Sequence, residues 1–381
     1  MKARDELGTL EATVTDARYY PAGPADLAGS GNYPLNCWYV VASSDEVGRS
    51  LLGRQVLGRR LLLFRRRDGQ VAVLDDRCPH RAAPLSMGTL DGDQVVCRYH
   101  GFTYAADGEC VRVPSQRHVP YGAQVRSYPV YERPPFVWVW PGNPARRRGT
   151  EPPDLPSLRE PGWAVLGGSL EMAVNYLLLH DNALDRTHFP YVHPHRIHRG
   201  YVEDPPPLQV EVAETTVSYS RTFTPAPLAD WQHEATGLPA GQEYTQRETG
   251  TFVSPALHVD EMDIIGPEPE RQLFRGVFIR AFTPVDAGRT LIIWRGARNY
   301  AQGDESVTER LREVYEGTMT EDQPLLEAIQ ATTGGEVGYQ VSAAADAAAI
   351  RAYQIVEALL AEERGRPARR RRAARRDGRI A

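Results

Sequence analysis

The sequence predicts an α+β protein: a small all-β domain, followed by a larger domain in which an antiparallel sheet carries helices at its ends. Three observations carry this expectation. Residues 38–140 read as short alternating or apolar runs broken by turn residues, residues 141–163 are rich in Pro and Gly without an apolar period, and the remainder mixes strand-like runs with helical periodicity. At 381 residues the chain exceeds the usual size of one core, and its 41% hydrophobic content is ample for two.

Residues 1–34 form a polar extension with Gly, Ala and Pro and no apolar h-region. Nothing later approaches the roughly 20 apolar residues a bilayer span needs, so a cytoplasmic protein with no membrane association is expected. The runs "WYVVAS", "RQVLGRRLLLFRR", "VAVLDD", "QVVCRY", "FTYAADGECVRV" and "FVWVWPG" then build a β-domain over 35–145. A second domain is expected over 146–363. It opens with a helical pattern over 170–188, continues through strands near 208–223, 249–260, 273–283 and 289–297, and closes with helix-like runs over 305–317, 324–332 and 342–363. Such a sheet can curl around a pocket. The arginine-rich residues 364–381 read as a solvated, disordered tail. The net charge of −5 gives no general attraction to nucleic acid. Cys37 and Cys110 are expected to be free thiols.

The stretch "CPHRAAPLSMGTLDGDQVVCRYHGF" (78–102) holds the first metal constellation: Cys78-x-His80, sixteen residues, then Cys97-x-x-His100. Structural zinc can use two cysteines and two histidines, but its familiar spacings pair Cys with Cys and His with His. Here each knuckle offers one of each. That suits a [2Fe-2S] cluster with Cys78 and Cys97 on one iron and His80 and His100 on the other; structural zinc is the alternative. Neutral imidazoles in place of two thiolates raise the reduction potential, which makes the centre an electron relay. Pro79 stiffens the first knuckle, and Gly101 permits a positive φ or close backbone approach in the second.

A relay implies a destination, and "DNALDRTHFPYVH" (181–193) supplies a candidate. Asn182, Asp185 and His188 are spaced to share one helical face. His193 follows five residues after His188, a separation that a straight helix would rotate away. Pro190 is expected to break the helix and let His193 swing back. Two histidines and one carboxylate form the facial triad of non-heme Fe(II) oxygenases, so a third ligand is required. Asp322, in "TEDQPLLEAIQ", is a candidate just ahead of a helix that Pro324 would begin; taken alone it also reads as an ordinary helix-start carboxylate. Structural or surface roles are expected for the nearby His180 and His195. His258, Arg280 and Arg295 are candidate polar groups of a pocket wall; they fall on predicted strands, where solvent-facing or core-satisfied side chains are the expected alternative.

The two constellations, in this order and separated by a linker, make the chain resemble the oxygenase component of Rieske non-heme iron monooxygenases, in particular the vanillate O-demethylase group. "NCWYVVASSDEVGRSLLGRQVLGRRLLLFR", "DDRCPHRAAPLSMGTL", "CRYHGFTY", "FVWVWPG" and "DNALDRTHFPYVH" carry the likeness, which covers roughly residues 34–335. The resemblance implies a Rieske [2Fe-2S] domain followed by a helix-grip, START-like catalytic domain, assembled as a homotrimer. It assigns Cys78, His80, Cys97 and His100 to the cluster and His188, His193 and Asp322 to the mononuclear Fe(II). Asp185 matches a carboxylate bridging an iron-ligand and a cluster-ligand histidine, here His188 and His100, and Asn182 matches a polar position behind the ligands. The implied partners are O2, an aromatic or related small molecule, and an NAD(P)H-dependent reductase with flavin and an iron–sulfur centre, or a ferredoxin plus reductase. The implied reaction is hydroxylation or O- or N-demethylation. The chain departs from the group at both ends and in "HPHRIHRGYVEDPPP" (193–207), which leaves open a hydroxylase of a natural-product scaffold; an electron carrier without oxygen chemistry is the reading from a different class.

Overall fold

Apolar alternation organises the N-terminal part into three antiparallel sheets. Tyr39–Ser43 pairs with Phe136–Val139, which pairs with Val130–Arg133, with Thr13–Thr15 at the edge. Leu52–Val56, Arg59–Arg65 and Val71–Asp75 form a meander. Thr89–Asp91, Gln94–Val96, Thr103–Tyr104 and Cys110–Arg112 form a third sheet whose core joins Leu85, Val95 and Tyr104 to Cys78 and Cys97. The computed structural model describes residues 13–15, 33–197, 205–266, 272–334 and 341–365. Most of the N-terminal extension and the basic tail beyond 365 therefore lie outside the described residues.

The second part is one antiparallel sheet with helices against it. Its strands are β1 (Ala164–Met172), β2 (Gln209–Val212), β3 (Thr216–Thr222), β4 (Glu243–Val253), β5 (Leu257–Ile265), β6 (Gln272–Pro284) and β7 (Thr290–Arg298), in the spatial order β1-β7-β6-β5-β4-β3-β2. Helix α1 (Tyr176–Leu184) and the single turn α2 (Phe189–Val192) follow β1; α3 (Asp230–Thr236) precedes β4; α4 (Glu305–Thr333) and α5 (Ala347–Glu363) close the chain. This is the α+β arrangement expected, with several local corrections. The runs near 208–223 and 249–260 are each hairpin segments, the second divided at Ser254-Pro255, because a proline there supplies no ladder donor. The helical pattern of 170–188 begins as strand and ends at Leu184. The two helix-like runs 305–317 and 324–332 are one helix with Pro324 inside it. Pro324 deletes a single backbone donor, and the buried stripe Val307, Leu311, Val314, Met319, Asp322 and Leu326 holds the helix together across it.

The two parts share one continuous core. In the hairpin turn after Val56, Leu57 and Gly58 both have positive φ, as a two-residue primed turn requires. Leu57 tolerates that conformation because it is buried at the end of β6: its N–H donates to Pro284 at 2.6 Å and that of Gly58 to Val285 at 2.9 Å. The Thr283 hydroxyl donates to the Val40 carbonyl at 2.6 Å, and Arg295 donates to the Ser43 hydroxyl at 2.6 Å. These contacts fix the first domain against the β6-β7 side of the large sheet.

Candidate metal centres and active-site cavity

The two knuckles of the first constellation are built on one backbone plan. In the first, Ala82 N–H donates to the Cys78 carbonyl and Cys78 N–H to that of Ala83; in the second, Gly101 N–H donates to the Cys97 carbonyl and Cys97 N–H to that of Phe102. Each loop closes through a residue with positive φ, Ala82 at 57° and Gly101 at 71°. Each therefore turns its cysteine inward and its histidine outward. Cys78 and Cys97 are buried, whereas His80 and His100 are exposed with ring centroids 4.5 Å apart. His80 stacks on Phe102, and the Tyr104 hydroxyl lies 3.2 Å from the Cys78 sulfur. Burial pushes the Cys97 thiol up, and the adjoining Cys78 sulfur adds to the shift. Loss of hydration holds His80 below its usual range, with His100 and Arg81 adding to it, the direction that favours a neutral ligand imidazole. Two adjoining sulfurs beneath two adjoining imidazoles fit a mixed-ligand [2Fe-2S] cluster. Zinc finds no comparable pairing of like ligands within each knuckle.

The second constellation assembles differently from the single helix the sequence suggests. Helix α1 ends at Leu184 with Asp185 extended, and Pro190 sits in the first turn of α2, where its missing N–H costs nothing. His188 and His193 cap the two ends of α2, which brings residues five apart in sequence to a ring-centroid distance of 5.4 Å. Asp322 reaches them from the middle of α4. Its Oδ1 lies 3.2 Å from His193 Nε2 and 3.6 Å from His188 Nε2, and the donor atoms of all three residues fall within 4.8 Å of one another. His188 Nε2 is buried and has no hydrogen-bond partner among the described residues. A buried, unpaired lone pair facing a carboxylate and a second imidazole fits the two-histidine, one-carboxylate donor set of non-heme iron.

Hydrogen bonds behind these residues fix their tautomers. His188 Nδ1 donates to the Asp185 carbonyl at 2.8 Å and His193 Nδ1 to Glu321 Oε2 at 2.8 Å, so both rings present Nε2 to the centre. Glu321 is in turn held by Arg196 at 2.9 Å, and Asn182 donates to Asp322 Oδ2 at 3.0 Å. Burial keeps His188 below its usual range; for His193 burial pulls the same way, but the carboxylates of Asp322 and Glu321 outweigh it. The Asp185 carboxylate accepts from Thr187 N–H, so within one chain this residue meets His188 through its carbonyl. Arg196 was not legible as a site residue; Glu321 was legible only as an alternative carboxylate next to Asp322, not as the partner of His193.

A cavity of about 150 Å³ opens beside Asn182, His193 and Asp322 and runs between α4 and the concave face of β5 and β6. Its walls are mainly apolar and aromatic, including Phe189, Trp231, Met262, Phe274, Phe278 and Tyr315. A buried charged cluster interrupts them. Asp260 accepts from Arg186, Arg280 and, at 2.9 Å, from His258 Nε2, and Arg186 also reaches Glu248 at 3.3 Å. Burial alone would push the Asp260 carboxyl up, but Arg186, His258 and Arg280 hold it well below the usual carboxylate range. Of the other sequence candidates, His180 is buried between Phe252 and Phe282, His195 is exposed, and Arg295 bonds to Ser43 at the domain junction.

Comparison with known proteins agrees with this architecture. Residues 37–129 match the Rieske [2Fe-2S] domain and residues 172–362 the vanillate O-demethylase oxygenase C-terminal domain. The chain is 32% identical over 317 residues to a toluene-4-sulfonate monooxygenase system iron–sulfur subunit of Comamonas testosteroni, covering 77% of this chain and 87% of that one. It is 29% identical over 344 residues to a vanillate O-demethylase oxygenase subunit of a Pseudomonas species, covering 87% and 96%. The crystal structure of dicamba monooxygenase bound to 3,6-dichlorosalicylic acid superposes with a TM-score of 0.83 at 27% identity, covering 88% of this chain and all of that one.

Proposed function

The chain belongs to the vanillate O-demethylase group of Rieske non-heme iron oxygenases, O2-dependent oxidoreductases with a [2Fe-2S] cluster and a mononuclear iron, and on that premise we propose the role of each residue in its site. Cys78, Cys97, His80 and His100 hold the cluster; His188, His193 and Asp322 hold the mononuclear iron. The observation that carries this reading is the buried, unpartnered His188 Nε2 facing Asp322 and His193 at the mouth of an aromatic cavity. An electron carrier would need the first constellation only.

When bound, the cluster supplies single electrons and the iron activates O2. Glu321 and the Asp185 carbonyl keep the two ligand imidazoles in the tautomer that leaves Nε2 free. Asn182 fixes the second oxygen of Asp322, so that one oxygen faces the centre. The apolar walls exclude water and orient an aromatic or related small molecule with its reacting carbon toward Asp322 and His193. Hydroxylation of a carbon that bears an ether oxygen or an amine nitrogen gives a product that collapses with loss of the carbon, a net demethylation; another carbon keeps the hydroxyl. Electrons come from NAD(P)H through a separate reductase, or through a ferredoxin and its reductase, and the oxygenase works as a cytoplasmic homotrimer. Among the described residues no helix is long and apolar enough to cross a membrane.

Anaerobic metal analysis tests the reading, because cluster plus triad require about three irons per chain against about two for a carrier. Substrate-dependent consumption of NADH and O2 with a surrogate reductase is expected across a panel of methoxybenzoates and larger aromatic scaffolds. Two irons per chain and no oxygen uptake on any of them would remove it.

A further inference from the structure

The segments that build the cluster loops and their flank carry charge of one sign. Residues 77–90, 97–106 and 111–124 hold five arginines, Arg77, Arg81, Arg98, Arg112 and Arg117, and no Asp or Glu, in a chain whose net charge is −5. All five are exposed, and among the described residues no carboxylate forms an ion pair with any of them. Arginines elsewhere are held by acids: Arg49 by Asp93, Arg133 and Arg159 by Asp154, Arg289 by Asp286, and Arg310 by Glu234.

These segments adjoin the outward histidines. Arg77 precedes Cys78, and Arg81 follows His80 directly. Arg98 stands between Cys97 and Tyr99, whose ring lies on that of His100 with centroids 3.9 Å apart. Arg112 pairs with Thr103 in the third sheet, and Pro114 closes over Gly101, where an added Cβ would fall 2.9 Å from its ring. Arg112 and Arg117 therefore flank the second knuckle. Met87, Tyr99 and Tyr121 are exposed in the same segments, and Met, Tyr and Arg are the side chains that protein contacts favour.

A second copy of the chain does not supply the missing acids. Beside Asp185 and on the neighbouring turns of α4 the exposed side chains are Thr187, Tyr191, Leu325 and Ile329, all uncharged, so Asp185 would answer one of five charges. We propose that the arginine rim docks the electron donor, and that this donor is a protein with an acidic docking face. The proposal rests on the cluster reading above and adds where the donor binds and what charge it presents. Opposite charge steers a transient partner to the rim although both proteins are negative overall. One electron then leaves the donor's reduced centre and is taken up by the oxidised cluster; no bond is made or broken.

Biolayer interferometry on the cluster-loaded protein tests this, with an immobilised acidic plant-type [2Fe-2S] ferredoxin as the probe and both proteins oxidised, so that no electron moves. Wild-type binding is expected, weakening at least fivefold between about 50 and about 250 mM NaCl as the charges are screened. Arg98→Glu, Arg112→Glu and Arg117→Glu together should weaken binding at least tenfold and abolish the salt dependence, with melting temperature, visible spectrum and sedimentation unchanged. Arg67→Glu, Arg148→Glu and Arg351→Glu make the same change of net charge away from the rim and should leave affinity within twofold. If the rim triple does not fold, the three positions changed to Gln should still weaken binding at least threefold. Wild-type binding that is absent at low salt or independent of salt overturns the proposal, as do equal losses in both sets of variants or none in either. A rim variant that changes its oligomeric state shows that a second copy covers the rim, which overturns it too. Failure of the oxygenase reading appears separately, as absent O2 uptake in a protein that binds the ferredoxin in this way.

Discussion

Asn182 and Asp322, 140 positions apart in sequence, are joined by one hydrogen bond of 3.0 Å that decides which oxygen of the carboxylate faces the two histidines. Without it Asp322 can rotate and offer both oxygens to the centre. Asn182→Leu is therefore expected to weaken mononuclear iron binding about 10- to 100-fold, the usual cost of removing a group that orients a ligand. Titration of the apo site with Fe(II) under anaerobic conditions measures this, and the visible spectrum of the cluster should not change.

Asp322→Ala goes further, because a three-ligand site loses its only anion. Mononuclear iron should fall to near zero while about two cluster irons remain. Glu321→Gln is the control. Its side-chain oxygen can still accept from His193 Nδ1, so iron should be retained; Glu321→Ala should lower affinity about tenfold. Full iron in Asp322→Ala with loss in Glu321→Ala would exchange the two roles.

These contrasts show how far the sequence was legible. Cys78, His80, Cys97 and His100 could be read because cluster ligation depends on residue type and on short spacing within two loops. His188 and His193 could be read as a pair, although the device that joins them is a one-turn helix capped by both and begun by Pro190. Asp322 was read at a helix start because a proline two residues later usually marks one. It lies inside α4, and the stronger signal was a carboxylate on an otherwise apolar stripe that includes Met319 and Leu326.

The Asp260 cluster gives the fold a dependence on acid. Its carboxyl titrates lower in the folded protein than in the unfolded chain, where about 3.9 is usual. The stability it contributes is thus fully present above about pH 4 and is lost as pH falls further toward the folded value. Asp260→Asn leaves Arg186 and Arg280 facing each other without their shared anion, which is expected to cost about 3–5 kcal/mol at pH 7. Melting temperatures between pH 7 and pH 3 should converge for the two proteins as acid removes the wild type's advantage; parallel curves would show that Asp260 titrates normally.

The Tyr104 hydroxyl lies 3.2 Å from the Cys78 sulfur and can donate to it when a metal has taken the thiol proton. Hydrogen bonds to cluster sulfurs favour the reduced, more negative state. Tyr104→Phe should lower the reduction potential by roughly 40 mV, which is what a difference of about 1 kcal/mol between the two oxidation states amounts to for one electron. Protein-film voltammetry reads this directly. An unchanged potential with an intact cluster would place the hydroxyl elsewhere in the metal-bound form.

The last prediction concerns the route of the electron. His80 and His100 present their rings to solvent, and the segment bearing His188 also reaches the surface, with Thr187 and Tyr191 exposed beside Asp185. An electron that leaves through the histidines of one chain can thus enter another chain at Asp185, as the proposed homotrimer requires. Asp185→Asn keeps the carbonyl that orients His188 and removes only the charge, so both metals should load while oxygenation slows at least tenfold. Mixed assemblies provide the sharper measurement. One chain carries Cys78→Ser and lacks a working cluster; the other carries Asp322→Ala and lacks mononuclear iron. Each is inactive alone, but an assembly of both places an intact cluster beside an intact iron across one interface. Heteromers isolated through two different tags should recover a fraction of wild-type turnover. If they assemble, carry their remaining metals and stay wholly inactive, the electron travels within one chain, and Asp185 has no part in its transfer between chains.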